Sequence, residues 1–267
     1  MERDELLSLS DLNMAELYRE ITRRSPHGAI LEEDGLLLYA GSHPSPMIVN
    51  GAIRTEPRLA PEQVLERASA FFGARGHGYC VCAAAHADAD LERVAVEAGL
   101  RAMIELTAMV LDRRLDERAP PSGTVLRRVT DLDGVRDFAE VTAEAFFPDV
   151  AAATFVEHRI LVAPHIAGFV AYADDVPVSA AMTIVSHRTA GVGFVGTKDA
   201  YRRRGLGEAV TRAATNAGFD LGARIASLQA SPQADPLYRR MGYVEISRYR
   251  LYLAAEGDTA ARPGPGR

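Results

Sequence analysis

The sequence contains few cysteines, and their placement argues against metal and disulfide chemistry. Cys80 and Cys82 are the only two among 267 residues. Their i, i+2 spacing places both side chains on one face of a predicted strand, which indicates core packing. A zinc site would need further ligands, and the seven histidines show none of the paired spacings of metal motifs. We therefore expect neither a metal site nor a disulfide.

The sequence also lacks an excess of positive charge and a long apolar run. Its 36 acidic residues outnumber the 30 basic ones, and the net charge of -6 argues against nucleic acid or an acidic membrane as the partner. No apolar run approaches the ~18 residues that span a bilayer. The opening segment, "MERDELLSLSDLNM", has acids where a signal peptide needs a cationic start. We expect a cytoplasmic globular protein, and the 48% hydrophobic content suffices for a buried core.

One break in the pattern divides the chain into two predicted domains. The segment "LDERAPPSGT", residues 115–124, combines charge, two prolines and a glycine. We place a smaller α/β domain at 1–117 and a second domain at 118–254. Residues 255–267 lack large apolar side chains and are rich in glycine, proline and charge, so they are predicted to be a disordered tail.

Helices and strands alternate in both halves, which predicts an α/β layer architecture. The first helix, within 11–24, is predicted to turn Leu12, Leu17 and Ile21 inward. The segment "RGHGYCVCAAAHADADLERVAVEAGLRAMIELTAMVL" has the same helix and strand order as "LGARIASLQASPQADPLYRRMGYVEISRYRLYL". This similarity indicates an internal duplication. The first half is then either a degenerate repeat of the second or an unrelated α/β cap.

The stretch "TKDAYRRRGLGEAV", residues 197–210, begins as a strand end and finishes as a helix. Gly205 and Gly207 fall in the first helical turn, where each costs ~1 kcal/mol relative to alanine. Glycine lets a ligand approach the backbone closely, and a helix start presents N–H groups without intrahelical partners. The three arginines at 202–204 add positive charge. The stretch therefore reads either as an anion site or as a solvated basic helix start.

Two spaced motifs resemble the GNAT superfamily of acyl-CoA-dependent N-acyltransferases. The family signature [QR]-x-x-G-x-[GA] directly follows a fourth strand, and residues 202–207, "RRRGLG", fit it. The family also places an Asn or Ser after its fifth strand, with an Ala, a Tyr and a Gly-aromatic pair at set intervals. The matching residues, in order, are Ser231, Ala234, Tyr238, Gly242 and Tyr243. The resemblance covers about residues 124–253 and implies a mixed central sheet flanked by helices in the C-terminal domain.

The resemblance assigns roles to residues position by position, with acetyl-CoA as the acyl donor. The end of the fourth strand should offer backbone groups to the pantetheine arm, at Val195, Gly196 and Thr197. An N–H from Phe194 or Val195 should polarise the thioester carbonyl. The glycine turn should donate backbone N–H groups to the pyrophosphate, at Arg203, Arg204, Gly205, Leu206, Gly207 and Glu208. Ser231 should contact the cofactor arm, and Tyr238 should protonate the departing thiolate.

The resemblance implies direct transfer of an acetyl group to a primary amine in a ternary complex. Many family members carry a glutamate on the fourth or fifth strand as the base, and "AGVGFVGT" and "RIASLQAS" contain no carboxylate. The candidate bases elsewhere in the domain are Glu144, His158, His165 and His187. A CoA-binding sensor without turnover is the alternative, favoured by the missing carboxylate and opposed by Tyr238. A nucleic-acid module using the arginines is disfavoured by the net charge.

The acceptor is expected to be a small-molecule or peptide amine. In this superfamily the acceptor pocket is formed by the first two helices, here "AEAFFPDVAAATFVEHR". Its aromatics, Phe146, Phe147 and Phe155, either line a cleft or belong to the core. Its acids, Glu144, Asp149 and Glu157, suit a cationic acceptor or a solvated helix face. The sequence also leaves a homodimer open.

Overall fold

The computed structural model of the chain describes residues 1–46, 49–146, 155 and 160–254. These residues form a mixed α/β structure, as the sequence predicts. Its helices are α1 (Arg3–Arg24), α2 (Pro61–Gly73), α3 (Ala89–Glu97), α4 (Leu132–Ala145), α5 (Leu206–Asp220) and α6 (Asp235–Met241). Its strands are β1 (Ala29–Glu33), β2 (Leu36–Ala40), β3 (Asn50–Arg54), β4 (Tyr79–Ala84), β5 (Arg101–Leu111), β6 (Thr124–Arg128), β7 (Ile166–Ala173), β8 (Val176–Ser186), β9 (Thr189–Thr197), β10 (Ile225–Ala230) and β11 (Val244–Ala254).

All the described strands belong to one sheet, and its order shows a repeat. The order is β1-β2-β3-β4-β11-β5-β10-β9-β8-β7-β6. From β1 to β4, the successive pairings are antiparallel, antiparallel and parallel. From β7 to β10, the pairings follow the same sequence. The two halves therefore share one strand arrangement, which supports the predicted duplication.

The last strand of each half pairs with the other half. Strand β5 precedes the predicted domain boundary but lies beside β10, and β11 lies beside β4, both antiparallel. The two exchanged strands also pair with each other, from Val244 opposite Val110 to Leu253 opposite Arg101. The boundary at 117/118 falls in the connection between β5 and β6, and the sheet is continuous across it.

Helices cover both faces of the sheet. The alternation of strand side chains divides the core, because Leu36 and Leu38 of β2 pack towards α2 and α3 whereas Leu37 and Tyr39 pack towards α1. In the second half, α4 packs on the face that α1 covers, and α5 and α6 pack on the opposite face. The result is a three-layer structure with the sheet in the middle.

Helix α1 begins earlier than the sequence predicts, and its inward face is different. It starts at Arg3, so its buried stripe includes Leu7 and Met14. Ile21 is buried as predicted, but the prediction for Leu12 is wrong, because 41% of that residue is exposed. A short amphipathic window could not show that the helix starts at Arg3 and packs on strands of both halves of the sheet.

Three further expectations concern the C-terminal tail, membrane spans and the cysteines. The predicted disordered tail, 255–267, lies outside them. Within the described ranges, the helices are too short or too polar to cross a membrane. The two cysteines lie on β4, where both are buried and unpaired.

His86 links three elements, and its titration should be visible in the stability of the protein. Its Nε2 lies 2.9 Å from a carboxylate oxygen of Asp11 on α1, and its Nδ1 lies 2.8 Å from the Ser247 hydroxyl on β11. The hydrogen bond to Asp11 raises the pKa of His86 above its usual value against the opposing effect of burial. The charge of Asp88 acts in the same direction, and that of Arg3 opposes it.

The folded state therefore binds the His86 proton more tightly than the unfolded state does. Its contribution is fully present below the unfolded pKa of about 6.5 and is lost as the pH rises through the folded pKa. We expect the difference in unfolding free energy between the wild type and His86→Gln to shrink from about pH 6 to about pH 8. Urea unfolding at several pH values measures it. A difference that stays constant over this range would contradict the assignment.

Candidate functional site

A cleft opens between β9 and β10, where two parallel strands separate. They pair only from Thr189 opposite Ile225 to Gly191 opposite Ser227, although β9 continues to Thr197. On its other edge, β9 stays paired with β8 as far as Thr197. The β10-facing edge of residues 192–197 therefore has no strand partner in the described part of the chain. Such crevices beyond the carboxyl ends of parallel strands are where α/β sheets bind ligands.

A bulge in β9 lies at the centre of this cleft. Between the pairs Met182–Gly193 and Ala180–Gly196, two residues of β9 lie opposite one of β8. One of them, Phe194, has a φ of 52°, a left-handed conformation that costs a non-glycine residue ~1–2 kcal/mol. Bulges of this kind redirect backbone and side-chain groups and concentrate near active sites. The strained residue is one of the two whose N–H the resemblance assigns to the thioester carbonyl.

The glycine turn after β9 presents a run of free backbone donors. Gly205 has a φ of 81° and precedes the first residue of α5. The first helical bond of this region runs from the Ala209 N–H to the Gly205 carbonyl. In the described residues, none of the six N–H groups from Arg203 to Glu208 donates a hydrogen bond. Together with the partial positive charge of the helix start, these donors are suited to binding an anion.

The two glycines serve different purposes. At Gly205 the backbone conformation is the constraint, since an added Cβ would meet only Pro121, 3.5 Å away. Gly207 has ordinary helical geometry, and an added Cβ would make normal contacts with Thr197 at 3.6 Å and Leu237 at 3.8 Å. A side chain at 207 therefore extends into the space between the end of β9 and α6. The fold therefore tolerates a side chain at 207. A ligand that reaches the backbone amides would need the space that such a side chain fills.

Two of the three arginine side chains at 202–204 form hydrogen bonds within their own loop. Arg202 donates to the Thr197 carbonyl at 3.3 Å and pairs with Asp199. Arg204 donates to the Ala200 carbonyl at 3.0 Å. Of the three, Arg203 alone has no partner among the described residues. The closely spaced donors that this loop leaves without a partner are therefore its backbone N–H groups.

Tyr238 and Ser231 lie on the α6 side of the cleft. Tyr238 is buried, and burial raises its pKa to about 12 while a hydrogen bond to Thr211 acts in the opposite direction. Thr211 in turn donates to the Gly207 carbonyl at 2.7 Å. Ser231 follows β10, and its carbonyl accepts the N–H of Ala234 at 2.9 Å at the start of α6. The end of β9, the glycine turn and the tyrosine helix thus lie next to one another.

The candidate bases are not equally placed. His187 lies in the turn before β9, so roughly 20 Å of strand separates it from Phe194. His165 lies at the same remote end, where its carbonyl accepts the Val185 N–H and its ring pairs with Glu20. His158 falls outside the described residues. Among the described candidates, Glu144 alone is near the cleft, on the last turn of α4.

The end of α4 lies directly over β9, and a lysine fixes it there. An added Cβ at Gly196 would lie 2.8 Å from Ala145, so the two elements are in close contact. Lys198 is 8% exposed, and its Nζ lies 2.5 Å from Glu140 and 3.9 Å from Glu144. The sequence assigns Lys198 no role. Its position directly after the strand is the one signal that could have indicated it.

The aromatic residues proposed for the acceptor pocket divide between core and surface. Phe155 is 1% exposed and packs edge-on against Phe138 and Phe194, at 4.9 and 4.8 Å between ring centroids. It is therefore a core residue. Phe146 is 42% exposed at the end of α4. The remaining predicted acceptor-side residues, Phe147, Asp149 and Glu157, lie outside the described residues.

Comparisons with known proteins agree with this geometry. Residues 134–251 match the family model of the acetyltransferase (GNAT) domain. No curated protein matches the chain significantly. The match over residues 134–251 confirms the resemblance and supports an acyltransferase activity.

Solved structures extend the likeness to the whole fold. A GCN5-related N-acetyltransferase from Kribbella flavida is 22% identical, with a TM-score of 0.72 over 91% of this chain and 94% of that chain. One from Sphaerobacter thermophilus is 17% identical, with a TM-score of 0.61 over 85% and 82%. A tandem GNAT protein from the clavulanic acid biosynthesis pathway is 13% identical, with a TM-score of 0.60 over 96% and 95%. At these identities the likeness establishes the fold.

Proposed function

We propose that the protein transfers an acetyl group from acetyl-CoA to a primary amine of a small molecule or peptide, directly, in a ternary complex. The observation that carries the proposal is the run of six free N–H groups, from Arg203 to Glu208, beside the open edge of β9. A pyrophosphate needs such closely spaced donors, and an extended pantetheine arm needs a strand edge without a partner.

Acetyl-CoA occupies the cleft, and its pyrophosphate and its pantetheine arm contact different residues. The pyrophosphate contacts the six amides of the glycine turn, and the pantetheine arm runs along Val195, Gly196 and Thr197. Ser231 contacts the arm from the α6 side of the opening. The linker residue Arg118 pairs with Glu208 at 3.3 Å, which places a cation near the phosphate groups without blocking the amides.

Two groups assist the chemical step. The N–H of Phe194 or Val195, presented by the bulge, stabilises the oxyanion that develops when the amine attacks the thioester carbon. Tyr238 donates its proton to the departing thiolate. Because burial raises the pKa of Tyr238 to about 12, its hydroxyl stays protonated at neutral pH. The same desolvation disfavours a free thiolate in the cleft, which offsets the weaker acidity of the buried tyrosine.

The acceptor enters beside the end of α4. Glu140 and Glu144 are half-exposed there, next to Lys198, and their charge favours a protonated amine near the cleft. The amine must lose a proton before it attacks. Of the described candidates, Glu144 is the one near the C-terminal end of β9, and it accepts that proton directly or through water.

An amine panel with thiol detection tests the function. The full chain is mixed with acetyl-CoA and with aminoglycosides, polyamines, amino acids or peptides with free N-termini, and released CoA is measured. We expect acceptor-dependent CoA release for at least one class. Tight binding of acetyl-CoA without release by any class would overturn the transferase and leave a binding module.

A further inference from the structure

A cavity lies in the first half of the molecule, remote from the glycine turn. It has a volume of about 520 Å³, within the ~300–1,000 Å³ that ligand pockets occupy. Helix α1 forms one wall, and the carboxyl ends of β3 and β4 form another. Parallel pairing of β3 and β4 ends at Ile53 opposite Cys82. The cavity therefore lies where the repeat places the counterpart of the β9–β10 cleft.

The loop beside this cavity cannot hold a phosphate as the glycine turn does. The segment after β3, "TEPRLA", contains no glycine. The N–H groups of Thr55 and Glu56 both donate to the Gly35 carbonyl, at 2.8 and 3.3 Å, and that of Leu59 donates to Glu56. Its amides are thus largely occupied by the protein itself. The cavity must select a ligand by its side chains.

The two arginines of the cavity are engaged by partners within the protein. All five N–H bonds of Arg54 have acceptors, since it donates to Asp88, to both oxygens of Asp90 and to the carbonyls of Leu59 and Ala87. That side chain is 1% exposed. Arg19 donates to both oxygens of Glu32 at 2.9 and 2.5 Å and to Glu16. Neither arginine is available as the main contact of an anion.

Hydrogen-bond acceptors remain open. Asp11 receives one bond from His86 and one from the Tyr249 hydroxyl, and a carboxylate has about four acceptor positions. Asp4, two turns earlier on the same face of α1, has no hydrogen-bond or ion-pair partner among the described residues. Leu7, Met14 and Ile53 supply an apolar surface beside these acids. The open charged groups of the cavity are therefore carboxylates, beside hydrocarbon and the hydroxyls of Ser8 and Thr55.

We infer that this cavity binds a small organic cation, a protonated amine on an apolar body, with Asp11 as its principal contact. The hydrogen bonds from His86 and Tyr249 fix the Asp11 carboxylate, so it is oriented before the ligand arrives. Tyr249 comes from the exchanged strand β11, so both halves of the chain build the site. The inference does not depend on the proposed acetyl transfer.

Three matched probes test the charge preference in the absence of any acyl donor. Phenethylamine, 2-phenylethanol and phenylacetate share one aromatic body and differ in charge. Calorimetric titration of the full chain should show binding of phenethylamine at millimolar concentration or below, and at least tenfold weaker binding of the alcohol and the carboxylate. No phenethylamine binding, or equal binding of phenylacetate, would overturn the inference.

Variants locate the binding. Asp11→Asn should weaken phenethylamine binding about tenfold or more, because it removes the charge and keeps the shape. Ser8→Trp should do the same by blocking the cavity from an exposed position on α1, which keeps the test valid if Asp11→Asn is unstable. Gly207→Leu and Glu144→Gln, beside the β9–β10 cleft, should leave it unchanged. If Gly207→Leu and Glu144→Gln abolish phenethylamine binding while Asp11→Asn and Ser8→Trp retain it, the ligand binds in the β9–β10 cleft and the inference is refuted.

Discussion

Replacing Gly207 by leucine is expected to abolish most of the affinity for acetyl-CoA while the protein stays folded. The position has helical geometry and room for a Cβ, with Thr197 and Leu237 at normal contact distance. A larger side chain fills the space through which a phosphate reaches the amides. Loss of two charge-assisted hydrogen bonds, at ~1.5–3 kcal/mol each, corresponds to a decrease in affinity on the order of 100-fold or more. Calorimetric titration with acetyl-CoA measures it.

Two comparisons make this test specific. Arg203→Ala removes an exposed charge worth ~0–1 kcal/mol, so it should lower the affinity by less than about fivefold. Gly205→Ala introduces backbone strain at a φ of 81°, and Gly222→Ala introduces similar strain at a φ of 95° at the other end of α5. Both alanines should destabilise the protein, but only Gly205→Ala should affect binding. A larger effect of Arg203→Ala than of Gly207→Leu would show that side chains, not amides, hold the phosphates.

Tyr238→Phe is expected to lower kcat by roughly 10²–10⁴-fold, the usual contribution of a positioned proton donor. The KM for acetyl-CoA should change little, because the proposed pyrophosphate contacts come from the glycine turn. The measurement is the steady-state rate of CoA release with the best acceptor of the panel. A decrease below about threefold would remove Tyr238 from the mechanism.

Tyr243→Phe is the matched control for this change. Tyr243 is also buried, and its hydroxyl lies 2.7 Å from Thr215 on α5, as that of Tyr238 bonds to Thr211. The two rings lie 6.0 Å apart in one cluster. Removing either hydroxyl should therefore have a similar effect on unfolding. Equal losses of activity in the two variants would indicate a structural role for both.

Local patterns in the sequence predicted the glycine turn and the tyrosine helix. Both depend on residues close together in the chain, and Gly205 and Gly242 take the left-handed conformations that end or begin a helix. The GNAT resemblance fixed their order around the cleft. Local sequence was sufficient because a strand, a turn and a helix start determine where the free amides point.

Features that depend on distant residues were not predictable in this way. The alternation of side chains identifies β5 and β11 as strands, but it does not reveal the strand with which each one pairs. In the structure, β5 pairs with β10 and β11 pairs with β4. In the site around Asp11, this residue contacts His86 and Tyr249, which follow it by 75 and by 238 positions in the chain. Each reads as an isolated polar residue until the strand exchange is known. The left-handed Phe194 likewise follows from the bulge against β8.

The most direct test of the account is amide hydrogen exchange with and without acetyl-CoA. Residues 203–208 have no acceptors for their N–H groups among the described residues, so they should exchange rapidly in the free protein and become protected when the donor binds. The counterpart loop at 55–60 should show no change. Unchanged exchange at 203–208 in the presence of bound acetyl-CoA would contradict the claim that the backbone of the glycine turn holds the donor.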